Sequence, residues 1–118
     1  MRKSIWEARE HIIRWGLLAY ECYREGSLSR EDLGPDGWWK YDGGARVIGA
    51  IGACLHHRIN RRDEILLTAK RTAQESARLV GYRLADLDGI AGFWQRTDNG
   101  VYRPLFKLCS KPRIAKQR

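Results

Sequence analysis

The stretch that decides the fold is SIWEAREHIIRWGLLAYECYREG, residues 4–26, which carries an uninterrupted helical pattern. Its apolar residues recur at alternating steps of three and four, which places them on one stripe of an α-helix. Ser4 and Glu7 have the spacing of a capping box, and Gly26 is well placed to end the helix. The members of the stripe are Ile5, Ala8, Ile12, Trp15, Ala19 and Cys22. We therefore predict a first helix whose apolar face organises the core.

A second helix is predicted from Ala45 to about Ile59. Small residues, among them Gly49 and Gly52, lie within its apolar stripe and allow a neighbouring helix to approach the backbone closely, at some loss of helix propensity. The stripe consists of Val47, Ile48, Ile51, Cys54, Leu55 and Ile59. We expect this segment to pack tightly in the core of a soluble chain rather than to dimerise in a membrane.

A third helical segment is predicted to begin at Asp63 as its N-cap. Its apolar stripe passes through Gly81 without a change of phase, which favours one continuous helix to Asp88. The alternative is a helix-turn-helix over Thr72 to Ile90, in which Ala77 is the small residue of the first helix and Gly81 follows four positions later. Under that alternative, Asp86 and Asp88 would repel phosphates.

The end of the predicted domain changes from helical to β periodicity. Residues 89–96 and 101–106 flank Thr97-Asp98-Asn99-Gly100, which contains Asn-Gly, a dipeptide typical of a type I′ hairpin turn, in which both central residues have positive φ. A hairpin directly after a helix-turn-helix resembles the wing of winged-helix DNA-binding domains. The resemblance covers about 35 residues of generic type and implies that the helix and the hairpin both contact DNA.

Charge is distributed unevenly along the chain. Residues 1–44 carry seven Lys/Arg and eight Asp/Glu, a net charge of −1, whereas residues 45–118 carry fifteen and six, a net charge of +9. Such asymmetry points to a polyanionic partner, most often nucleic acid, either DNA or RNA. The candidate phosphate-binding residues are Arg58, Arg61, Arg62, Arg71, Arg78, Arg96, Arg103, Lys107, Lys111, Arg113 and Lys116.

Aromatic residues provide candidate contacts of another kind. Trp38, Trp39 and Tyr41 lie in a loop rich in turn residues, and Trp94 lies in the hairpin among cations. These rings can stack on bases or anchor a protein partner. The alternative is that the loop folds back and its aromatic rings cover the core, because tryptophan buries a large apolar area.

Support for catalysis or metal binding is weak. Phosphate-loop, nucleophile-elbow and zinc-protease motifs are all missing from the sequence. Cys54, His56 and His57 place three donors close together, but no second half completes a zinc site. We therefore expect neither an enzyme nor a cofactor. The three cysteines have no paired spacing, which fits reduced thiols in the cytoplasm. No signal peptide or membrane-spanning run is evident, so no membrane association is expected.

These observations predict a mainly α fold, in which three helices and a C-terminal β-hairpin form a single compact domain over residues 1–108. Residues 109–118 are expected to be a flexible basic tail. The predicted function is regulatory: a small basic accessory protein that binds nucleic acid, or a nucleoprotein machine, through residues 45–118. The alternative is a modulator that docks on a larger protein, as phage anti-CRISPR proteins and RNA-polymerase regulators of this size do.

Overall fold

The first helix has the predicted extent. A computed structural model describes residues 5–28, 33 and 37–107, and α1 spans Ile5–Glu25. Gly26 follows it with a φ of +76°, as expected of a residue that ends a helix. Ile12 and Ala19 of the predicted stripe are buried, together with Ile13 and Tyr20. The proposed capping box depends on Ser4, which lies outside the described residues.

The second helix is the centre of the fold. This helix, α2, spans Gly43–His56 and starts two residues earlier than predicted, because Asp42 caps it through a 2.8 Å hydrogen bond from the Ala45 N–H. Every residue from Ala45 to Leu55 is buried, as expected of a helix surrounded by other elements. It ends earlier than predicted, because Arg58 adopts the left-handed conformation, with a φ of +66°.

Both interpretations of the third segment are wrong in detail. It forms two helices, α3 over Arg62–Ala73 and α4 over Ala77–Asp86. The turn between them lies at residues 74–76. Gly81, which the helix-turn-helix alternative placed near the turn, is inside α4. Gln74 takes the left-handed conformation with a φ of +56°, and the Ser76 hydroxyl caps α4 by accepting the Leu79 N–H at 3.1 Å. Arg61, rather than Asp63, occupies the N-cap position of α3.

A hairpin follows α4 as predicted. Strand β1, Trp94–Arg96, pairs antiparallel with β2, Tyr102–Pro104. The predicted type I′ turn is wrong, because Gly100 has positive φ, at +80°, and Asn99 does not. The Thr97 N–H donates to the Val101 carbonyl at 2.8 Å, and the Gly100 N–H to the Thr97 carbonyl at 3.0 Å. The loop is therefore of the three-residue type that places glycine in the left-handed region.

The segment between α2 and α3 also pairs with the hairpin. Arg61 forms an isolated antiparallel bridge with Val101, and the Tyr102 N–H donates to the Asn60 carbonyl at 2.8 Å. After α1 the chain forms a short 3₁₀ helix, Trp38–Lys40, and then α2, the short extended segment, α3, the turn, α4 and the hairpin. One hydrophobic cluster joins the helices and the hairpin, with Trp38 and Trp94 among its largest buried side chains.

The described part of the chain is therefore mainly helical, with an antiparallel hairpin near its C-terminal end. None of its helices has the length and apolar character required to cross a bilayer. The predicted basic tail, and with it Lys111, Arg113 and Lys116, lies outside the described residues.

Candidate nucleic-acid interface

The exposed side of α4 is the surface that most resembles a groove-binding helix. Val80 and Leu84 face the core, whereas Arg78 and Tyr82, one helical turn apart, are exposed, with 59% of Tyr82 accessible. Gly81 and Ala85 lie beside them and add almost no bulk. A helix with this face can bring its backbone close to another surface while presenting one cation and one aromatic ring.

Arg62 extends this surface from the start of α3. A Cβ atom built on Gly81 would lie 3.6 Å from Arg62 Nη2, so the Arg62 guanidinium lies beside α4. Arg61 and Arg62 are both exposed. The α3–α4 surface, defined as the exposed residues Arg62, Arg78 and Tyr82, therefore places two guanidinium groups around one helix.

The turn that orients α4 is held by a buried arginine that was not among the residues predicted from the sequence. Arg46 in α2 pairs with Glu75, with 2.7 Å between Nη2 and Oε2. Its Nε donates to the Ala73 carbonyl at 3.2 Å, and its Nη1 donates to the Tyr41 carbonyl at 2.6 Å. The guanidinium also lies 5.1 Å from the centre of the Trp39 ring. This network ties residues 73–75 to the central helix.

In one continuous helix Glu75 would have the spacing to pair with Arg71 and Arg78, but in the structure it pairs with Arg46. Residues 74–76 are not helical, so the spacing rule for one continuous helix does not apply to them. The signal for the true partner was a single arginine, Arg46, within an otherwise apolar helix. Buried arginines are usually paired, so the sequence implied an acidic partner for Arg46 without identifying which acid it is.

A second buried contact fixes the hairpin against α4. The Trp94 indole N–H donates to the Leu84 carbonyl at 3.0 Å, which satisfies a carbonyl near the end of the helix. The Asp88 carboxylate accepts the Arg96 backbone N–H at 2.8 Å. The Asp86 carboxylate lies 3.4 Å from the Arg83 guanidinium. Both carboxylates expected to repel phosphate thus have partners within the protein.

The predicted cations that the structure describes are all exposed, and they lie on several different elements of the fold. Arg62 and Arg78 belong to the α3–α4 surface, and Arg96 lies on β1. Another group lines a cleft beside β2: Arg58, Arg103 and Lys107. Arg61 lies where the extended segment meets the hairpin, and Arg71 lies in the last turn of α3. Among the described residues, none of these cations takes part in an ion pair.

The predicted aromatic contacts are mostly unavailable to a partner. Trp38 and Trp94 are 0% exposed and Trp39 is 9% exposed, so a base cannot stack on them. Trp38 also donates its indole N–H to the Thr72 carbonyl at 3.3 Å. Burial raises the pKa of the half-buried Tyr41. The alternative, in which the loop aromatics cover the core, describes the structure, and the stacking interpretation of Trp38, Trp39 and Trp94 is wrong.

The Cys54 and histidine cluster does not form a reactive centre. Burial raises the pKa of the Cys54 thiol to about 12, so it stays protonated at neutral pH and is a poor nucleophile. His56 and His57 lie on the surface, and His57 stacks on Tyr20 with 4.6 Å between ring centres. Within the described ranges, no group of three or more metal-binding side chains occurs. Cys22 and Cys54 are free thiols.

Comparison of the chain with protein-family models, curated proteins and solved structures finds no match.

Proposed function

We propose that residues 43–107 bind duplex DNA as a winged-helix-like unit in which α4 enters the major groove. The observation that carries this proposal is the order of elements, with residues 60–61 paired to the hairpin. Winged-helix domains also place a short strand between their first two helices, pair it with the wing, and use the third helix for recognition. In this chain those elements correspond to α2, residues 60–61, α3, α4 and the hairpin.

The chemistry of the α3–α4 surface fits a nucleic-acid groove. A major groove about 12 Å wide admits one α-helix. Arg78 near the start of α4 can contact a guanine edge or a phosphate, since guanidinium binds both in bidentate geometry. Arg62, beside Gly81, can contact the phosphate backbone that flanks the groove. Arg96 on the hairpin provides the corresponding phosphate contact for a wing.

The salt dependence of binding tests the proposal directly. Each neutralised phosphate releases counterions, so log K should fall with log salt by about 0.9 per contact on duplex DNA. Replacing both Arg62 and Arg78 by Gln should flatten this slope by about two units. The matched control replaces Arg14 and Arg24 by Gln, which changes the net charge equally but on α1. That control should leave the slope almost unchanged.

Three results would overturn the proposal. The first is no measurable binding of a mixed-sequence duplex at about 50 mM salt, where the electrostatic contribution is strong. The second is equal loss of slope in the control variant, which would place the contacts elsewhere. The third is tighter binding of single strands with a 5′-hydroxyl end, which lack the phosphate group considered below, or of duplex RNA, whose deep and narrow major groove does not admit a helix. Fluorescence anisotropy with labelled oligonucleotides measures all three.

A regulatory role in the cytoplasm belongs to the same proposal, because DNA binding without a catalytic centre can act by occupying a site. The alternative function, a modulator that docks on a large protein, relied on Trp38 and Trp39 as exposed anchors. Their burial removes that anchor. Recovery of a protein partner that persists after nuclease treatment, together with weak duplex binding, would favour the modulator.

A further inference from the structure

A second basic site shares no residue with the α3–α4 surface. It is a cleft of about 460 Å³ between the end of α2 and strand β2 with the residues that follow it. Four basic side chains converge on it from these two parts of the fold, namely His56, Arg58, Arg103 and Lys107. Among the described residues that line the cleft, none is acidic. Asn60 and the ring of Phe106 supply an amide and an apolar wall.

The backbone of Arg58 suggests that its side chain serves a purpose other than folding. Arg58 ends α2 in the left-handed conformation, a position at which glycine is strongly preferred because a Cβ atom is strained there. The Ile59 N–H donates to the Cys54 carbonyl at 2.8 Å, which is the bond that usually accompanies such a glycine. Arginine here retains the strain and places a guanidinium in the cleft.

Favourable interaction with the helix dipole explains only part of this cluster. Cations near the end of a helix are stabilising, which accounts for His56 and Arg58. It does not account for Arg103 and Lys107, which come from β2 and the segment after it. Arg103 pairs with Gln95 across the hairpin and lines the cleft, and it takes part in no ion pair with the described residues.

We propose that this cleft binds a nucleoside 5′-phosphate, with the phosphate held by Arg58, Arg103 and Lys107 and the base against Phe106. Guanidinium and ammonium groups are suited to phosphate oxygens, and an aromatic ring stacks on any base. The Asn60 amide can donate to and accept from a base edge. The volume lies within the range of small-molecule sites, which is about 300–1,000 Å³. The nucleotide is either free or the 5′ end of a strand.

Titration of the full chain with three probes distinguishes a free nucleotide from the 5′ end of a strand as the ligand. The probes are AMP, a single strand with a 5′-phosphate and the same strand with a 5′-hydroxyl, each followed by calorimetry. Binding of AMP supports a free nucleotide as the ligand. Binding of the 5′-phosphorylated strand at least tenfold tighter than the hydroxyl strand, without AMP binding, supports a strand end. If the protein neither binds AMP nor binds the 5′-phosphorylated strand at least tenfold tighter than the hydroxyl strand, the proposal is overturned. The Arg62 and Arg78 double variant should bind these probes normally, so the failure of duplex binding and of this site are distinguishable.

Variants of the cleft assign the contacts. Arg103→Gln should weaken binding of the preferred probe by about 10- to 100-fold, the usual effect of losing a charge-assisted hydrogen bond. Arg71→Gln removes the same charge from α3 and should have little effect. Phe106→Leu should weaken AMP binding but spare inorganic phosphate. Equal affinity for AMP and inorganic phosphate would contradict the assignment of a nucleotide site. So would a loss of affinity in Arg71→Gln as large as that in Arg103→Gln.

Arg58→Gly provides a test that loss of folding cannot imitate. Glycine relieves the left-handed strain, so the melting temperature should rise by a few degrees. Affinity for the probe should nevertheless fall by about tenfold or more because a phosphate ligand is lost. If the variant is more stable and still binds with wild-type affinity, Arg58 does not contact the phosphate, and its assigned role is overturned.

Discussion

The crossing of α1 and α2 depends on two glycines, and replacing one of them is a sensitive test of the fold. A Cβ atom at Gly16 would overlap the Gly49 carbonyl group and lie only 3.0 Å from the Gly49 Cα. The obstruction is backbone, so no side chain can rotate away to relieve it. Gly16→Ala should therefore force the two helices apart.

The expected effect is the difference between two opposing contributions. Alanine is favoured over glycine within a helix by about 1 kcal/mol. Forcing an extra carbon into a close-packed core costs about 1–3 kcal/mol, and occasionally more. Because the overlap here is with backbone, we expect a value at or above the upper end and a net loss of about 2 kcal/mol. For a domain of this size, that corresponds to a fall in melting temperature of roughly 10 °C.

Gly81→Ala in α4 is the matched control, because the same atom is added to a helix with room for it. A Cβ there would have ordinary contacts at 3.6 and 3.8 Å, so the variant should be more stable than wild type by up to about 1 kcal/mol. Urea unfolding followed by circular dichroism measures both, with the slope checked for constancy. If Gly16→Ala is as stable as the wild type or more so, the helices do not cross as described.

Two further perturbations concern the ion pair of Arg46 with Glu75 and the imidazole of His57. Glu75→Gln leaves the Arg46 guanidinium without its counter-ion and should lower the free energy of unfolding by about 2 kcal/mol; an unchanged urea midpoint would contradict the network at the α3–α4 turn. Partial burial is the main cause that lowers the pKa of His57, and the charge of His56 is the second. As the pH falls, the unfolded chain therefore takes up a proton at His57 at a higher pH than the folded chain does. The contribution of His57 to stability is therefore complete above a pH of about 6.5 and decreases below it. His57→Gln should flatten the pH dependence of the urea midpoint in that acidic range, and an identical pH dependence would contradict this assignment.

The parts of the fold that could be predicted are those determined by local pattern. The stripe of α1 and the small residues of α2 predicted a helix and a close approach, and Gly16 against Gly49 is that approach. The dipeptide Asn99-Gly100 predicted a hairpin in the correct place. Its turn type was wrong because residue type alone does not specify how many loop residues the flanking pairs leave unpaired.

The features that could not be predicted depend on contacts between distant residues. The α3–α4 turn has no glycine or proline, and Gln74 takes a left-handed conformation that residues other than glycine adopt infrequently. Arg46, 29 residues from Glu75, holds this turn in place, and no helical spacing rule connects them. Burial of Trp38 was also undecided by the sequence, because the same loop composition fits an exposed or a buried ring.

The exposed side chains of the candidate interface are of a common kind, but specific buried contacts determine the orientation of α4. Exposed arginines such as Arg62 and Arg78 occur on many basic proteins, and a basic surface alone does not distinguish a groove-binding helix from a solvated one. What distinguishes α4 is that its position is set from both ends by buried polar contacts, Arg46 with Glu75 at its start and Trp94 with Leu84 at its end. Because each of these contacts would leave a buried polar group unpaired if α4 moved, the helix is held rigidly. A rigid helix loses little entropy when it enters a groove, and this argument supports the proposal of duplex binding through α4 over a general attraction to polyanions.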